Sequence, residues 1–484
     1  MVTARPLQLL GRLLVGGLGL VLLSGGRAIA LCPAQLTPQI DAALSQPPLD
    51  GAYTGMVLQT QGPAPRTLYS RNGDRLFTPA SSLKLMTTAA ALHRLGGDYR
   101  LRTSVYGTSE DSTTLRVVGR GDPTVTDAEV NALAQQIAQA GVQRVSLLVV
   151  DDSYFPGFAT NPTWEWGDAQ FAFAAPVNSL ILNRNAIAVQ IAPTQVGSPL
   201  SVVGSRALPA GPLAIVNDSL TVASSAPTVP LSIWRSGDSP TLRVTGQMAL
   251  GSNSRTLDLA VLNPAQQFAV ALQQALRQRS IPVGQTVITQ TLTSVTGPEL
   301  ASLLSPPLGE LLMAANRDSD NLYAEVLFKT LGVTAGGTVS DASQAGGAAV
   351  KAALAALRVN SDPLRLADGS GLSRHNLVSP IALVETLQAM AEHPQGGVFR
   401  SSLAIAGQSG TLRNRLGGTV LAGRVQGKTG ALTGNVSLSG YLQPPNYEPL
   451  VFSIVINHSN QHASVLREKI DALLLIVAQL QQGC

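Results

Sequence analysis

The sequence predicts a multi-domain α/β (α+β) protein, an outer domain of sheet and helices interrupted along the chain by inserted β-rich material. Three observations carry this. At 484 residues the chain exceeds what one ordinary core organises, so two or three domains are expected. A hydrophobic content of 45% against 13% charged residues belongs to a folded chain. Finally, both ends alternate strand and helix periodicity, whereas residues 164–240 are rich in Pro, Ser, Thr, Ala and Val, with short strand-like pieces and few charges.

Taken in order, residues 1–30 read as a secretory signal. Arg5 and Arg12 precede an apolar core from Leu13 to Leu23, and Ala28-Ile29-Ala30 offers a small-x-small cleavage site. That run is short for a membrane span, and no later segment reaches spanning length. Export into the periplasm or extracytoplasmic wall is expected, with at most peripheral membrane association; an uncleaved anchor is the rival reading. Thr37 to Leu44 suggests a helix closed by Pro47-Pro48, and Tyr53–Thr60 with Arg66–Tyr69 reads as a hairpin before Asn72-Gly73. A helix follows Pro79 and ends at Gly96-Gly97.

From Leu101 the texture turns to β, with Arg102–Tyr106 and Thr114–Val118, then a turn at Gly119–Pro123. A helix is expected over 128–140, and a buried strand over Ser146–Val150 runs into Asp151-Asp152. A helix resumes near Asn263, with Phe268, Ala269, Leu272 and Ala275 on one face. Gly423–Gln426 and Val436–Leu442 flank a turn, Leu450–Asn457 is a continuous apolar strand, and Ala463–Gln481 is an amphipathic helix.

Several function classes drop out. The formal charge of +4 comes mainly from arginine, because only five of the 33 basic residues are lysine. The arginines are scattered, with no basic cluster interleaved with aromatics, so no nucleic-acid partner is expected. Five histidines without a His-Glu-x-x-His pattern and two cysteines give no metal site, and no cofactor is expected. Cys32 and Cys484 stand at opposite ends of the mature chain; a terminal disulfide, two free thiols and an intermolecular link all remain open.

The chemistry lies in three short motifs in a fixed order: Ser81-x-x-Lys84, Ser319-Asp320-Asn321, and Lys428-Thr429-Gly430 at the end of a strand. Ser81 and Lys84, three apart on a helix, share a face. A serine is a poor nucleophile until a base takes its proton, and a buried lysine with lowered pKa can be that base. Ser319 can relay protons to a leaving amine, and the Asn321 amide can hold Lys84 and a substrate peptide group. Lys428 would favour a substrate carboxylate and lower the Lys84 pKa by like-charge repulsion. Thr429 adds a hydroxyl, Gly430 would let an extended substrate lie against the strand, and the backbone N–H groups of Ser81 and Ala431 would form an oxyanion hole. Taken singly, each motif reads equally as a helix start, a polar loop or a hairpin end; the ordered triple does not.

This motif set resembles that of the penicillin-recognising serine enzymes. Ser319 lies 238 positions after Ser81, an insertion similar to that of the class C low-molecular-mass penicillin-binding proteins, the D-alanyl-D-alanine carboxypeptidase/endopeptidase group (peptidase family S13). Gly119–Pro123, Val150–Phe155, Ala175–Leu180 with Asn183-Arg184-Asn185, Asp368–Arg374 with Asn376, and Gly410–Leu412 also match it. The resemblance implies a β-lactamase-like transpeptidase domain, an antiparallel sheet flanked by helices, with two nested, β-rich inserts. The expected partition is a signal at 1–30, the outer domain at 31–98 and 263–484, a first insert at 99–163 and 241–262, and a second at 164–240. The implied activity is cleavage of D-Ala-D-Ala bonds, and of D-amino-acid cross-links, in peptidoglycan stem peptides, with β-lactams as covalent inhibitors. A β-lactamase or esterase of the same superfamily, and a non-catalytic peptidoglycan-binding relative, are the alternatives. The resemblance also points to Asp151 as the acidic residue facing the amine of the stem peptide, and to Arg374 and Asp368 near the substrate pocket. Asp151 reads equally as a strand-end turn carboxylate, and Asp368 better as a structural turn with an ion pair. One departure is Ala431, where the family usually has Thr or Ser.

Overall fold

The computed structural model describes residues 31–107, 113–205, 214–235, 239, 241–291 and 297–483. The signal-like segment and Cys484 lie outside these residues. Among the described residues, no helix is long and apolar enough to cross a membrane.

The outer domain is built on a six-stranded antiparallel sheet in the order Ala404–Ile405, Val425–Leu432, Asn435–Leu442, Leu450–Asn457, Tyr53–Thr60, Thr67–Arg71. Its central strands Asn435–Leu442 and Leu450–Asn457 are buried at every position, because helices cover both faces. Alternation sorts their side chains. Val451, Val455 and Tyr441 face a core shared with the helices Lys84–Leu95, Leu308–Asn316, Asn321–Thr334, Ala342–Ala356 and Pro380–Glu392. Leu450, Phe452, Ile454 and Ile456 face a second core shared with Pro33–Leu44 and Ala463–Val477. The first and last described segments meet on this second side, where the Leu31 N–H donates to Gln479 O at 2.9 Å and the Gln481 N–H to Leu31 O at 3.1 Å. Cys32 is disulfide-bonded.

The helix Lys84–Leu95 is the hub of the first core. Residues Lys84 to Leu92 are all buried, so it is a central helix rather than an amphipathic surface one. Its small side chains, Thr87, Thr88 and Ala89 to Ala91, let neighbouring helices approach on every side. The preceding turn Ala80–Leu83 is tighter than an α-helix and places Ser81 at its head.

The insert leaves beside the place where it rejoins: Leu308 N–H donates to Tyr99 O (2.8 Å), Gly309 N–H to Gly97 O (3.0 Å) and Ser305 N–H to Leu101 O (2.9 Å). Between these points lies a five-stranded mixed sheet in the order Val283–Thr289, Val145–Asp151, Thr113–Val118, Arg102–Tyr106, Glu299–Leu304. The helices Asp127–Gln139 and Pro264–Arg277 share its core through Leu133, Ile137, Phe268 and Leu272. A smaller module pairs two three-stranded sheets, one of Ala186–Ala192, Ser201–Gly204 and Arg255–Ala260, the other of Ala214–Val222, Ser232–Arg235 and Thr241–Ala249.

These pairings depart from the expected partition. Residues 241–260 belong with the small module, because Leu242, Val244 and Leu259 pack on Ile187, Val189 and Ile191. Residues 264–304 belong with the five-stranded sheet, not the outer domain, because Phe268 and Leu276 face Leu133 and Ile137. Helical periodicity near 263 revealed an element but not its partner. Likewise Lys428-Thr429-Gly430 lies inside the strand Val425–Leu432 rather than at its end, since pairing with Asn435–Leu442 continues to the Leu432–Asn435 pair.

Candidate active site

Four segments converge at the head of the buried helix. Lys84, one turn after Ser81, is completely buried and its Nζ donates to Ser81 Oγ at 2.9 Å, to Asn321 Oδ1 at 2.7 Å and to the Ser370 carbonyl at 2.7 Å. Burial lowers its pKa from 10.5 to about 8, opposed by the charges of Asp368, Glu325 and Asp320. Ser319 and Asn321 are placed by the turn joining the helices Leu308–Asn316 and Asn321–Thr334. Asn316 ends the first helix and is tied to the serine helix through Thr88 Oγ1 (3.1 Å), while Asp320 caps the second by accepting from the Tyr323 N–H (3.3 Å). Ser319 has φ 65°, and Ala80, before Ser81, has φ 48°. Left-handed backbone is unusual for residues with a Cβ and tends to collect at functional sites, where surrounding structure holds it.

Lys428 is also fully buried; its Nζ donates to Ser319 Oγ at 2.8 Å and to the Thr429 carbonyl at 2.7 Å. Burial, then the charge of Lys84, holds its pKa well below the ordinary lysine value. Thr429 Oγ1 lies 2.8 Å from Thr411 Oγ1. The strand Ala404–Ile405 covers only Gln426 and Gly427. Among the described residues, Lys428–Leu432 therefore has no sheet neighbour on its outer edge, an opening for an added extended peptide. Gly430 has a different reason from the expected substrate clearance. A Cβ there would lie 2.3 Å from Ser437 Oγ and 2.7 Å from Pro79 O, so its absence lets the strand press against the serine turn.

A cleft of about 350 Å³ opens here, lined in part by Ser81, Ser319, Asn321, Arg374 and Ala431. Arg374 pairs with Glu165 and donates to Thr433 O at 3.1 Å. Asp151 is not among the lining residues: it is buried at a strand end, where Arg116 holds its carboxylate (Nε to Oδ2, 2.9 Å) and the Ser153 N–H donates to it at 3.0 Å. Asp368 is also internal. It accepts from Trp164 Nε1, Asn376 Nδ2 and the N–H groups of Gly371 and Ser373, at 2.6–2.9 Å, so it organises a turn by hydrogen bonds rather than through the expected ion pair.

Among the wall residues that sequence reasoning missed are Glu165, Asp168 and Phe173. The Phe173 carbonyl accepts from Asn321 Nδ2 at 2.8 Å. Two carboxylates within a stretch otherwise poor in charge, Trp164-Glu-Trp-Gly-Asp168, were the available signal. Asp168 has its pKa raised by burial and by Glu165, with Arg374 opposing, and its carboxylate makes no hydrogen bond or ion pair among the described residues.

Comparison with known proteins bears on this geometry. Residues 36–480 match the family described as D-Ala-D-Ala carboxypeptidase 3 (S13). The chain is 34% identical over 443 residues to the D-alanyl-D-alanine carboxypeptidase of Actinomadura sp. (strain R39), covering 87% of this chain and 81% of that protein. It is 28% identical to penicillin-sensitive carboxypeptidase A of Dictyostelium discoideum, covering 85% and 84% of the two. Its fold is that of penicillin binding protein 4 (dacB) from Haemophilus influenzae, with a TM-score of 0.80 at 24% identity, over 91% of this chain and 99% of that one.

Proposed function

The chain belongs to the D-Ala-D-Ala carboxypeptidase 3 (S13) family, and on that premise we propose how its own residues cleave the bond. It is a penicillin-sensitive serine DD-peptidase acting on D-Ala-D-Ala peptides of peptidoglycan. The observation that carries the assignment of roles is the 2.9 Å contact between Ser81 Oγ and the buried Lys84 Nζ.

In its neutral form Lys84 takes the proton of Ser81 as Oγ attacks the carbonyl carbon of the penultimate D-Ala. The backbone N–H groups of Ser81 and Ala431 receive the developing oxyanion. The tetrahedral adduct collapses as the proton taken by Lys84 is relayed through Ser319, held by Lys428, to the leaving amine, which returns Lys84 and Ser319 to their starting protonation. Water, activated by Lys84, then hydrolyses the acyl-enzyme. The substrate lies along the open edge of Lys428–Leu432, with its terminal carboxylate toward Lys428 and Thr429. Because Ala431 has no hydroxyl, that carboxylate loses one hydrogen-bond donor there. Asp168, rather than Asp151, supplies the acidic group for a cationic substrate side chain, since Arg374 already engages Glu165. The segment 1–30 supports export to an extracytoplasmic wall.

The test is release of D-alanine from an acyl-D-Ala-D-Ala peptide bearing a free side-chain amine and from the same peptide with that amine acetylated. Ser81→Ala abolishes release from both. Asp168→Asn raises KM roughly tenfold for the amine-bearing peptide alone, about 1.4 kcal/mol of lost ion pairing. Equal effects on both peptides would remove Asp168 from this role.

A further inference from the structure

Beneath the site, buried charged groups that the mechanism leaves unused line one helix. Asn321, Glu325 and Lys329 stand four residues apart on Asn321–Thr334 and so share a face. Lys329 donates to the carbonyls of Phe158 (2.8 Å) and Val177 (2.9 Å), tying the inserted segment down. Glu325 lies between them, 1% exposed. Its Oε1 accepts the N–H of Gly369 at 2.9 Å and of Ser370 at 2.8 Å. The carbonyl of that same Ser370 accepts from Lys84 Nζ at 2.7 Å.

The loop that transmits this contact has little room to move. A Cβ on Gly369 would lie 2.4 Å from Phe328 Cβ and 2.8 Å from Ala324 O, so the loop packs on the helix through a glycine. Thr87 Oγ1 donates to Gly369 O at 2.7 Å, and Asp368 holds the N–H groups of Gly371 and Ser373 at 2.8 and 2.6 Å. Two N–H groups could be satisfied by a neutral acceptor.

We propose that Glu325 is a positioning residue for Lys84, aiming the Ser370 carbonyl at its Nζ by holding the N–H groups of Gly369 and Ser370. The inference rests on Lys84 being the base. The groups facing Glu325 are Lys84 on the serine helix, Asp368 on the loop and Lys329 on its own helix; Asp320 and Lys428 also act on Lys84 or lie beside it. Burial and Asp368 push the Glu325 pKa up, while the hydrogen bonds from Ser370 and the charge of Lys329 hold it down.

The test is the pH profile of acylation by penicillin for wild type, Glu325→Gln and Glu325→Ala. Gln keeps an acceptor oxygen and removes the charge. Because it still accepts from Gly369 and Ser370, its rate stays within a few-fold of wild type across the profile. Ala removes both and acylates roughly tenfold or more slowly at every pH. If Ala does not fold, the Gln profile decides alone. Acylation by Gln slowed tenfold or more overturns the proposal, as does wild-type acylation by Ala. Failure of wild type to be acylated at Ser81 would sink the underlying mechanism instead, so the two are distinguishable.

Discussion

Lys84 is fully buried, and the groups around it decide its protonation. Three acceptors at 2.7–2.9 Å hold its Nζ, yet burial still brings its pKa down to about 8. In the proposed mechanism the active form is the neutral amine, so the fraction ready to take the Ser81 proton rises with pH and is roughly a tenth at pH 7. Acylation by penicillin should therefore climb about tenfold between pH 6 and 7 and level off above 8, as stopped-flow rates across that range would show; a flat profile would mean another group is the base. Ser81, Lys84, Ser319, Asn321 and Lys428 were legible in sequence because their motifs encode local geometry and an order. Asp151 stayed open between two readings because a strand-end carboxylate looks the same whether it faces a cleft or Arg116. Glu325 had no visible role in the sequence, since the partners that give it one are backbone groups some 45 residues away.

At the scale of elements, the site depends on how closely two backbones approach the serine turn. Gly371 has φ +82°, and a Cβ there would lie 2.0 Å from Ala80 O. Gly371→Ala thus combines a left-handed conformation with a backbone clash, at a cost of about 2–5 kcal/mol. Denaturant unfolding should show that loss, and acylation should slow because Ser81 is displaced. Gly336→Ala is the control. It has φ +96° but open space around it, so it should cost about 1–2 kcal/mol and leave acylation unchanged. Many elements were readable from periodicity: Tyr53–Thr60, Arg102–Tyr106 and Leu450–Asn457 are strands at the bounds expected. The tight turn before the serine helix, and the glycines that let Val425–Leu432 and the 369–371 loop press on it, were not. Such approaches join segments hundreds of residues apart and leave no periodic trace.

For the whole molecule, the insert matters because it returns to the site. It departs near Tyr99, builds the five-stranded sheet and the small module, and sends Glu165, Asp168 and Phe173 back to wall the cleft beside Ser81. The long gap between Ser81 and Ser319 announced an insertion, but composition could not say which residues of it pair with which. The strands at 241–260 and the helix after Asn263 were accordingly assigned to the wrong neighbours. What joins these parts in the proposed mechanism is one serine made reactive by a buried lysine. The most direct test is intact mass after incubation with penicillin, followed by peptide mapping. One covalent adduct per chain on the peptide containing Ser81, absent from Ser81→Ala, is the expected result. An adduct of equal extent on Ser81→Ala would contradict the account.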